Sequence, residues 1–160
     1  MEKQHSPVPL LDALHSGAHW LIVASTVVLV IACVLLHYEC FQLLSRFVAA
    51  AVPARRRRRI LVVMLALLVT HIVEIWLFGV GYAVLLEHGA LGSLAGIPVS
   101  GLLDAVYFSA VTYTTVGFGD ITPLGPIRFM VGTEALTGLM LVTWSASLAF
   151  IEMQHHWGKG

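Results

Sequence analysis

Charged residues are scarce in this chain. Lysine, arginine, aspartate and glutamate make up 11% of its 160 residues, whereas a soluble domain carries about 25%. Hydrophobic residues make up 58%. The composition therefore excludes an ordinary soluble domain and predicts a membrane protein.

Cysteine is also scarce, and the formal charge is balanced. The two cysteines, Cys33 and Cys40, lie within or beside an apolar run and are interpreted as small core residues, so no disulfide framework is predicted. A formal net charge of zero gives no basis for a nucleic-acid partner. The eight histidines are scattered without paired ligand motifs, so neither a metalloenzyme nor any catalytic residue is predicted.

Three apolar runs are long enough to cross a bilayer, which takes about 20 residues. The first runs from about Trp20 to Leu36, the second from Ile60 to Leu86, and the third from about Ile127 to Ile151. A fourth run, Leu102 to Tyr113, has only about 12 residues and is too short to span. This pattern predicts an all-α membrane protein with three transmembrane helices and one re-entrant half-helix.

The half-helix has suitable residues at its start. Ser100 is a candidate N-cap, and Asp104 lies in the first turn, where negative charge is favoured. The preceding segment, Glu87 to Pro98, is rich in glycine and predicts a loop. The C-terminal end of the half-helix would point its negative dipole end toward the membrane centre, which favours a cation there.

The most informative segment follows the half-helix. It runs from Thr114 to Asp120 with the sequence TTVGFGD. Gly117 and Gly119 flank a single aromatic residue, and glycine reaches backbone angles that other residues adopt only with strain. A strand of this kind can turn successive carbonyl oxygens to one side. Carbonyls from several copies could then replace the water around a small cation.

The longer segment Ser109 to Pro123, SAVTYTTVGFGDITP, closely resembles the pore loop of tetrameric potassium channels, with Phe118 in place of the commoner tyrosine. Residues 60–151 resemble small prokaryotic channels with two helices and a pore loop, and the first apolar run would be an extra N-terminal helix. The resemblance implies a homotetramer, because the chain carries one pore loop and four are needed to surround an ion.

The resemblance also assigns the potassium sites. The ligands would be carbonyl oxygens and one threonine hydroxyl, with a glycine closing the outer end. These residues are Thr115, Val116, Gly117, Phe118 and Gly119. K+ would be the permeant ion, and no cofactor is implied. Thr114 and Asp120 would support the filter, and the aspartate would tie its outer mouth to the pore helix.

One support found in some bacterial relatives is missing. They pair the filter aspartate with a glutamate on the pore helix, and the corresponding position here is Val111. Asp120 is therefore expected to meet Tyr107 or another polar group; the alternative is an exposed acid that concentrates cations. Glu134, about two turns into the third run, is expected behind the filter as a further support, bonded to the pore helix or to a neighbour's backbone.

The third run contains the candidates for a gate. Gly138 lies near its middle, where the family has a hinge glycine in its inner helix. The alternative role for Gly138 is close helix packing, for which small residues are common in membranes. Leu139, Val142 and Ala146 would face the cavity, and Val142 is the candidate for an apolar constriction that closes by dewetting.

A pair of ionisable residues lies in the second run. His71 and Glu74 are three residues apart and share a helical face, roughly 17 Å from the inner end. The favoured interpretation is a buried hydrogen-bonded pair that docks the first helix through Ser25 or Thr26. The second is a pH-sensitive element. A metal pair is disfavoured because no other ligand accompanies these two residues.

The arginine run Arg55 to Arg59 predicts the topology. Short loops rich in arginine stay cytoplasmic, so the second run would cross outward and the pore loop would enter from outside. The run also attracts anionic lipid headgroups. Five consecutive arginines lack the every-third spacing of a voltage sensor.

The chain is thus predicted to lie in a cell membrane, with its N-terminus outside and its C-terminus cytoplasmic. The predicted segments are an external segment (1–19), an extra transmembrane helix (20–50), a cytoplasmic basic loop (51–59), a pore domain (60–151) and a short cytoplasmic tail (152–160). Within the pore domain they are the outer helix (60–86), turret (87–100), pore helix (102–113), filter (114–120) and inner helix (127–151).

The predicted function is passive, potassium-selective conduction through the TVGFG filter, which is not an enzymatic activity. Two alternatives stay open. They are a cation channel of relaxed selectivity and a non-conducting membrane subunit that retains the pore scaffold. The selective channel is favoured because Phe118 and both filter glycines preserve every ion site.

Overall fold

The structure, a computed structural model, describes residues 17–50, 56–97 and 101–157. Four α-helices account for most of this part of the chain. They are α1 (Gly17–Ala50), α2 (Arg56–Leu86), α3 (Leu102–Tyr113) and α4 (Arg128–Trp157).

Three of these helices are long and apolar enough to cross a membrane. The spanning segments are Gly17–Arg46 in α1, Ile60–Leu86 in α2 and Arg128–Ile151 in α4. The helix α3 has 12 residues and is too short to span. The predicted all-α membrane fold, with three spanning helices and one short helix, is therefore confirmed.

The helix ends differ from the apolar runs. The helix α1 continues past the apolar run to Ala50, where the predicted segment 20–50 also ends, and it begins three residues earlier, at Gly17. His37, the first polar residue after the run, is buried. The helix α2 already begins at Arg56, since arginine is a good helix former; Arg55 lies outside the described residues.

The N-cap of α3 also differs from the prediction. It is Gly101, in an extended conformation and without a side-chain cap. Ser100, the predicted cap, lies outside the described residues. The first-turn position of Asp104 agrees with the prediction.

A small antiparallel sheet, which the sequence did not predict, joins the two loops on either side of α3. Strand β1 (Ser93–Gly96) pairs with β2 (Ile121–Leu124), with Ser93 opposite Leu124 and Gly96 opposite Ile121. The Ile97 amide also donates to the Asp120 carbonyl at 3.1 Å. The sheet therefore holds the segment before α3 against the segment that follows TTVGFGD.

Two glycines bring α3 close to its neighbours. A Cβ at Gly79 in α2 would lie 2.6 Å from the Val106 side chain, and a Cβ at Gly138 in α4 would lie 2.1 Å from the Tyr113 carbonyl oxygen. Neither helix could approach α3 this closely with a larger residue. Small residues at helix contacts are typical of membrane bundles.

The helix α1 packs against both α2 and α4. One buried cluster joins Ile22 and Cys33 of α1 to Phe78 of α2 and Leu141 of α4. A second cluster joins Leu44 of α1 to residues of the other two long helices; they are Val63, Leu67 and Leu148. The first helix thus contributes to both buried clusters, and the first of them also contains Ala105 and Phe108 of α3.

Candidate functional site

The sign of the backbone φ angle alternates along the TTVGFGD segment, residues 114–120. This is the predicted filter, and we call it the filter segment. Positive φ angles occur at Thr115 (58°), Gly117 (55°) and Gly119 (78°), while the residues between them have negative φ. In a regular strand successive carbonyls point to opposite sides. Alternation of left- and right-handed backbone angles instead turns successive carbonyls toward one side, as ion filters require.

The amides of this segment point back to the end of α3. The Thr115 amide donates to the Thr112 carbonyl at 2.9 Å, and the Val116 and Gly117 amides donate to the Val111 carbonyl at 3.1 and 3.3 Å. The Thr114 hydroxyl donates to the Ala110 carbonyl at 2.7 Å. The first amides of the segment therefore face the end of α3.

Thr115 is strained. It is β-branched and is the only non-glycine residue with positive φ in the part of the chain that the structure describes. Such a conformation costs about 1–3 kcal/mol and persists only where surrounding contacts impose it. The amide bond to Thr112 is one such contact. Strain of this kind concentrates at functional sites.

Asp120 contacts α3 at the outer end of the segment. Its Oδ2 accepts a hydrogen bond from the Tyr107 hydroxyl at 2.7 Å, and its Oδ1 accepts from the Ile121 amide at 3.0 Å. The first of these bonds raises the pKa of the Tyr107 hydroxyl. Tyr107 is thus the partner of Asp120, as the sequence suggested. It takes the place of the glutamate that some bacterial relatives have at the position of Val111.

Glu134 is buried behind α3. Its carboxylate accepts hydrogen bonds from Tyr82 of α2 and Ser109 of α3, both at 2.5 Å. The Ser109 hydroxyl also lies 2.8 Å from the Ile75 carbonyl. Glu134 therefore connects α4 to both neighbouring helices. The sequence placed Glu134 next to the pore helix but did not identify Tyr82.

The gate candidates of α4 divide into two groups. Gly138 is in close contact with the Tyr113 carbonyl, which favours the packing role over the hinge. Leu139 and Val142 are 51% and 42% exposed within one chain, and Ala146 is exposed as well. These three side chains are available to line a space formed with other copies.

The structure brings His71 and Glu74 together, with His71 Nδ1 2.9 Å from Glu74 Oε2. The proposed docking through Ser25 or Thr26 is wrong. The Thr26 hydroxyl donates to the Ile22 carbonyl of its own helix at 2.7 Å, and Ser25 lines an apolar groove between α1 and α2. The residue of α1 that reaches Glu74 is His37, whose Nδ1 lies 3.0 Å from Oε1.

The sequence reasoning missed His37. It falls directly after the first apolar run, whose bounds were set by apolar residues alone. An ionisable residue in an apolar helix is itself a signal, because such groups usually face protein. His37 could have been selected on that ground, although its partner 37 residues away could not.

Two further residues complete this arrangement. The Tyr113 hydroxyl donates to Glu74 Oε2 at 2.5 Å. The Ser145 Oγ lies 2.9 Å from His71 Nε2 and 3.3 Å from His37 Nε2. We call these five residues the His–Glu cluster: His37, His71, Glu74, Tyr113 and Ser145. It joins all four helices and touches the last residue of α3, directly before the filter segment.

A groove of about 340 Å³ lies beside the filter segment. Residues of α3, the filter segment, β2 and α4 line it. They include Val111, Thr115, Gly117, Pro123, Val131 and Ala135. The groove is mostly apolar. The residues of the filter segment that line it are Thr115, Gly117 and Gly119.

Comparison with known proteins identifies relatives of this region. A family described as "Ion channel" matches residues 60–155, which include most of α2, all of α3, the TTVGFGD segment and most of α4. Protein LctB of Geobacillus stearothermophilus is 43% identical over 49 residues, which are 31% of this chain and 37% of that protein. Protein LctB of Bacillus caldotenax is 42% identical over 40 residues, 25% of this chain and 30% of that protein. The matches thus span about a third of these relatives. No solved structure matches the chain.

Proposed function

Since the chain belongs to the ion channel family that matches residues 60–155, we propose that it conducts K+ selectively across a membrane through the filter Thr115–Gly119. The membrane location and the channel class follow from the three spanning helices and the family. Potassium selectivity is our proposal.

The observation that carries the proposal is the alternating backbone of the filter. Residues 115, 117 and 119 have positive φ, and the amides of residues 115–117 donate to carbonyls of α3. Rings of filter carbonyls replace the hydration shell of K+ in the family's filters. The proposed ligands are the carbonyls of residues 115–118 and the Thr115 hydroxyl, and Gly119 closes the outer end.

The helix α3 adds an electrostatic contribution. Its C-terminal end, at Tyr113, adjoins the filter, and the last carbonyls of a helix carry a partial negative charge. A cation near this end is therefore favoured. The bond between Tyr107 and Asp120 holds the other end of the filter, so both ends are fixed to α3.

We propose that the functional unit is a homotetramer. One chain offers one filter strand, and a ring of ligands needs further copies around the same axis. The apolar groove beside the filter and the exposed side chains Leu139 and Val142 would then lie toward the neighbouring copies or the pore.

We propose that the start of α2, with the arginine run 55–59, lies on the cytoplasmic side of a cell membrane. Arginine-rich short loops are retained there, and anionic lipid headgroups attract them. The N-terminus would then lie outside and the C-terminus inside. Among the described segments, β1 and β2 would lie on the outer side with the filter mouth.

The test is flux through liposomes containing the purified full chain. The wild-type protein is expected to pass K+ and to pass Na+ far more slowly. Gly117→Ala is expected to abolish selective K+ flux, since φ at Gly117 is 55° and a side chain there is strained. Gly89→Ala is the matched control, because Gly89 has negative φ and no atom within 4 Å of an added Cβ.

Each result has a distinct meaning. Unaltered K+ flux in Gly117→Ala would contradict the filter assignment. Equal wild-type flux of K+ and Na+ would identify a cation channel of relaxed selectivity. Absence of flux from an assembled wild-type protein in all conditions would support a non-conducting subunit that retains the scaffold.

A further inference from the structure

We propose that the His–Glu cluster binds a divalent transition metal, with Zn²⁺ as the preferred ion. The ligands are His37 Nδ1, His71 Nδ1 and a carboxylate oxygen of Glu74, and the Tyr113 oxygen takes the fourth position. The sequence disfavoured a metal at His71 and Glu74 because a third ligand was missing. The helix α1 supplies that ligand.

The distances suit a metal of this size. One ligand atom from each of His37, His71 and Glu74 lies within 4.8 Å of the other two. Zinc bonds to nitrogen and oxygen are about 2.0–2.2 Å, so tetrahedral ligand atoms lie roughly 3.4 Å apart. The two distances from Nδ1 to carboxylate oxygen are 3.0 and 2.9 Å. Admitting the ion would therefore lengthen these two contacts by about 0.4–0.5 Å, and the 2.5 Å contact between Tyr113 and Glu74 Oε2 by about 0.9 Å.

Tyr113 stands where a fourth ligand is needed. Its hydroxyl lies 2.5 Å from Glu74 Oε2 and 3.0 Å from His71 Nδ1. Two histidines and one carboxylate are a recurrent ligand set for zinc, and the tetrahedron is completed by one further oxygen. The cluster thus offers two nitrogen and two oxygen atoms from three different helices.

Ser145 provides the outer support that metal-bound histidines require. A histidine that binds a metal through one ring nitrogen donates its other N–H to a nearby acceptor. With the metal on the Nδ1 side, both Nε2 atoms carry hydrogen. Both face the Ser145 Oγ, at 2.9 Å for His71 and 3.3 Å for His37.

The hydrogen count at Ser145 distinguishes the two states of the cluster. A hydroxyl has two acceptor lone pairs and a single hydrogen. When the metal binds both Nδ1 atoms, the two Nε2–H groups therefore donate to the two lone pairs of the Ser145 oxygen. Without the metal, two neutral histidines that donate through Nδ1 would both require the one Ser145 hydrogen. The arrangement suits the metal-bound tautomers better.

Burial and charge favour the same ion. His37 and Glu74 are 1% and 0% exposed, while the His71 side chain retains 15% exposure, which leaves an approach for the metal. The carboxylate offsets one of the two metal charges. The C-terminal end of α3 at Tyr113 offers the negative end of a helix dipole.

The experiment is metal binding by the purified full chain in detergent. Equilibrium dialysis against Zn²⁺ is expected to give one ion per chain, and Co²⁺ as a probe is expected to show the strong visible bands of tetrahedral coordination. His37→Gln is expected to weaken Zn²⁺ binding by more than the about 100-fold that loss of an outer-sphere partner causes. His88→Gln, in an exposed loop, is the matched control and should bind as the wild type does.

A second variant keeps the test decisive if His37→Gln does not fold. Ser145→Ala leaves all four ligands in place and should weaken binding by about 10–100-fold. Stoichiometric binding that both variants reduce supports the site. A folded wild type without stoichiometric Zn²⁺, or folded variants with wild-type affinity, would overturn it and leave a hydrogen-bonded cluster alone. These readouts are independent of ion flux and hence of the proposed conduction.

Discussion

Replacing Gly138 with alanine separates the two roles considered for this residue. An added Cβ would lie 2.1 Å from the Tyr113 carbonyl oxygen and 2.9 Å from the carbonyl carbon. Ordinary contact lies near 3.5 Å, so the methyl group intrudes by more than about 1 Å. Both obstacles are backbone atoms, which cannot rotate away as a side-chain end can.

The expected cost is that of an overpacked core, about 1–3 kcal/mol of unfolding free energy. Because Tyr113 is the last residue of α3, the displacement would also reach Thr114 and Thr115. We therefore expect Gly138→Ala to lower both stability and selective K+ flux. A hinge would respond differently: alanine would reduce opening while stability stayed the same or rose.

The assay is denaturant unfolding followed by circular dichroism, at fixed detergent and protein concentration, together with liposome flux. Gly132→Ala is the control on the same helix, since nothing lies within 4 Å of its added Cβ. Alanine in a helix interior should be about 0.5–1 kcal/mol more stable than glycine there. The packing argument fails if Gly138→Ala is as stable as Gly132→Ala and only its flux is changed.

Two further predictions concern α4. Glu134→Ala leaves the buried Tyr82 hydroxyl without its acceptor, whereas the Ser109 hydroxyl keeps the Ile75 carbonyl at 2.8 Å. At about 1–3 kcal/mol for one unsatisfied group, unfolding should show a loss of about that size, against no change for the exposed control Glu39→Ala. Wild-type stability would show that other acceptors take over. Val142→Asn should raise basal K+ flux if an apolar constriction closes the pore by dewetting, and unchanged flux would count against such a gate.

The sequence was sufficient for the elements whose signal is local. Long apolar runs predicted the three spanning helices, and the short run Leu102–Tyr113 predicted a helix that does not span. The glycine pattern of TTVGFGD predicted an unusual backbone, and Gly117 and Gly119 do have positive φ. In each case composition and spacing within a few residues carry the information, so no tertiary contact is needed to find them.

The sequence was insufficient where contacts between distant residues decide the structure. The contacts of His37 with Glu74 of α2 and Ser145 of α4 could not be predicted, because they join residues far apart in the sequence. The two strands have only four residues each, and they pair with one another although α3 separates them in the sequence. Neither is long enough to show the alternation of apolar and polar residues that predicts a strand. Tyr82 and Ser145 became relevant only when the helices were assembled.

The position of Glu74 has a consequence for how such a chain could be divided or recombined. Its carboxylate meets His37 of α1 as well as Tyr113 of α3. Removing α1 would therefore uncover an acidic group near the middle of a hydrocarbon layer, at a cost of several kcal/mol. The first helix therefore cannot be removed without a loss of stability, because it covers Glu74. A chimaera lacking α1 would need a compensating substitution at Glu74 to recover this loss of stability.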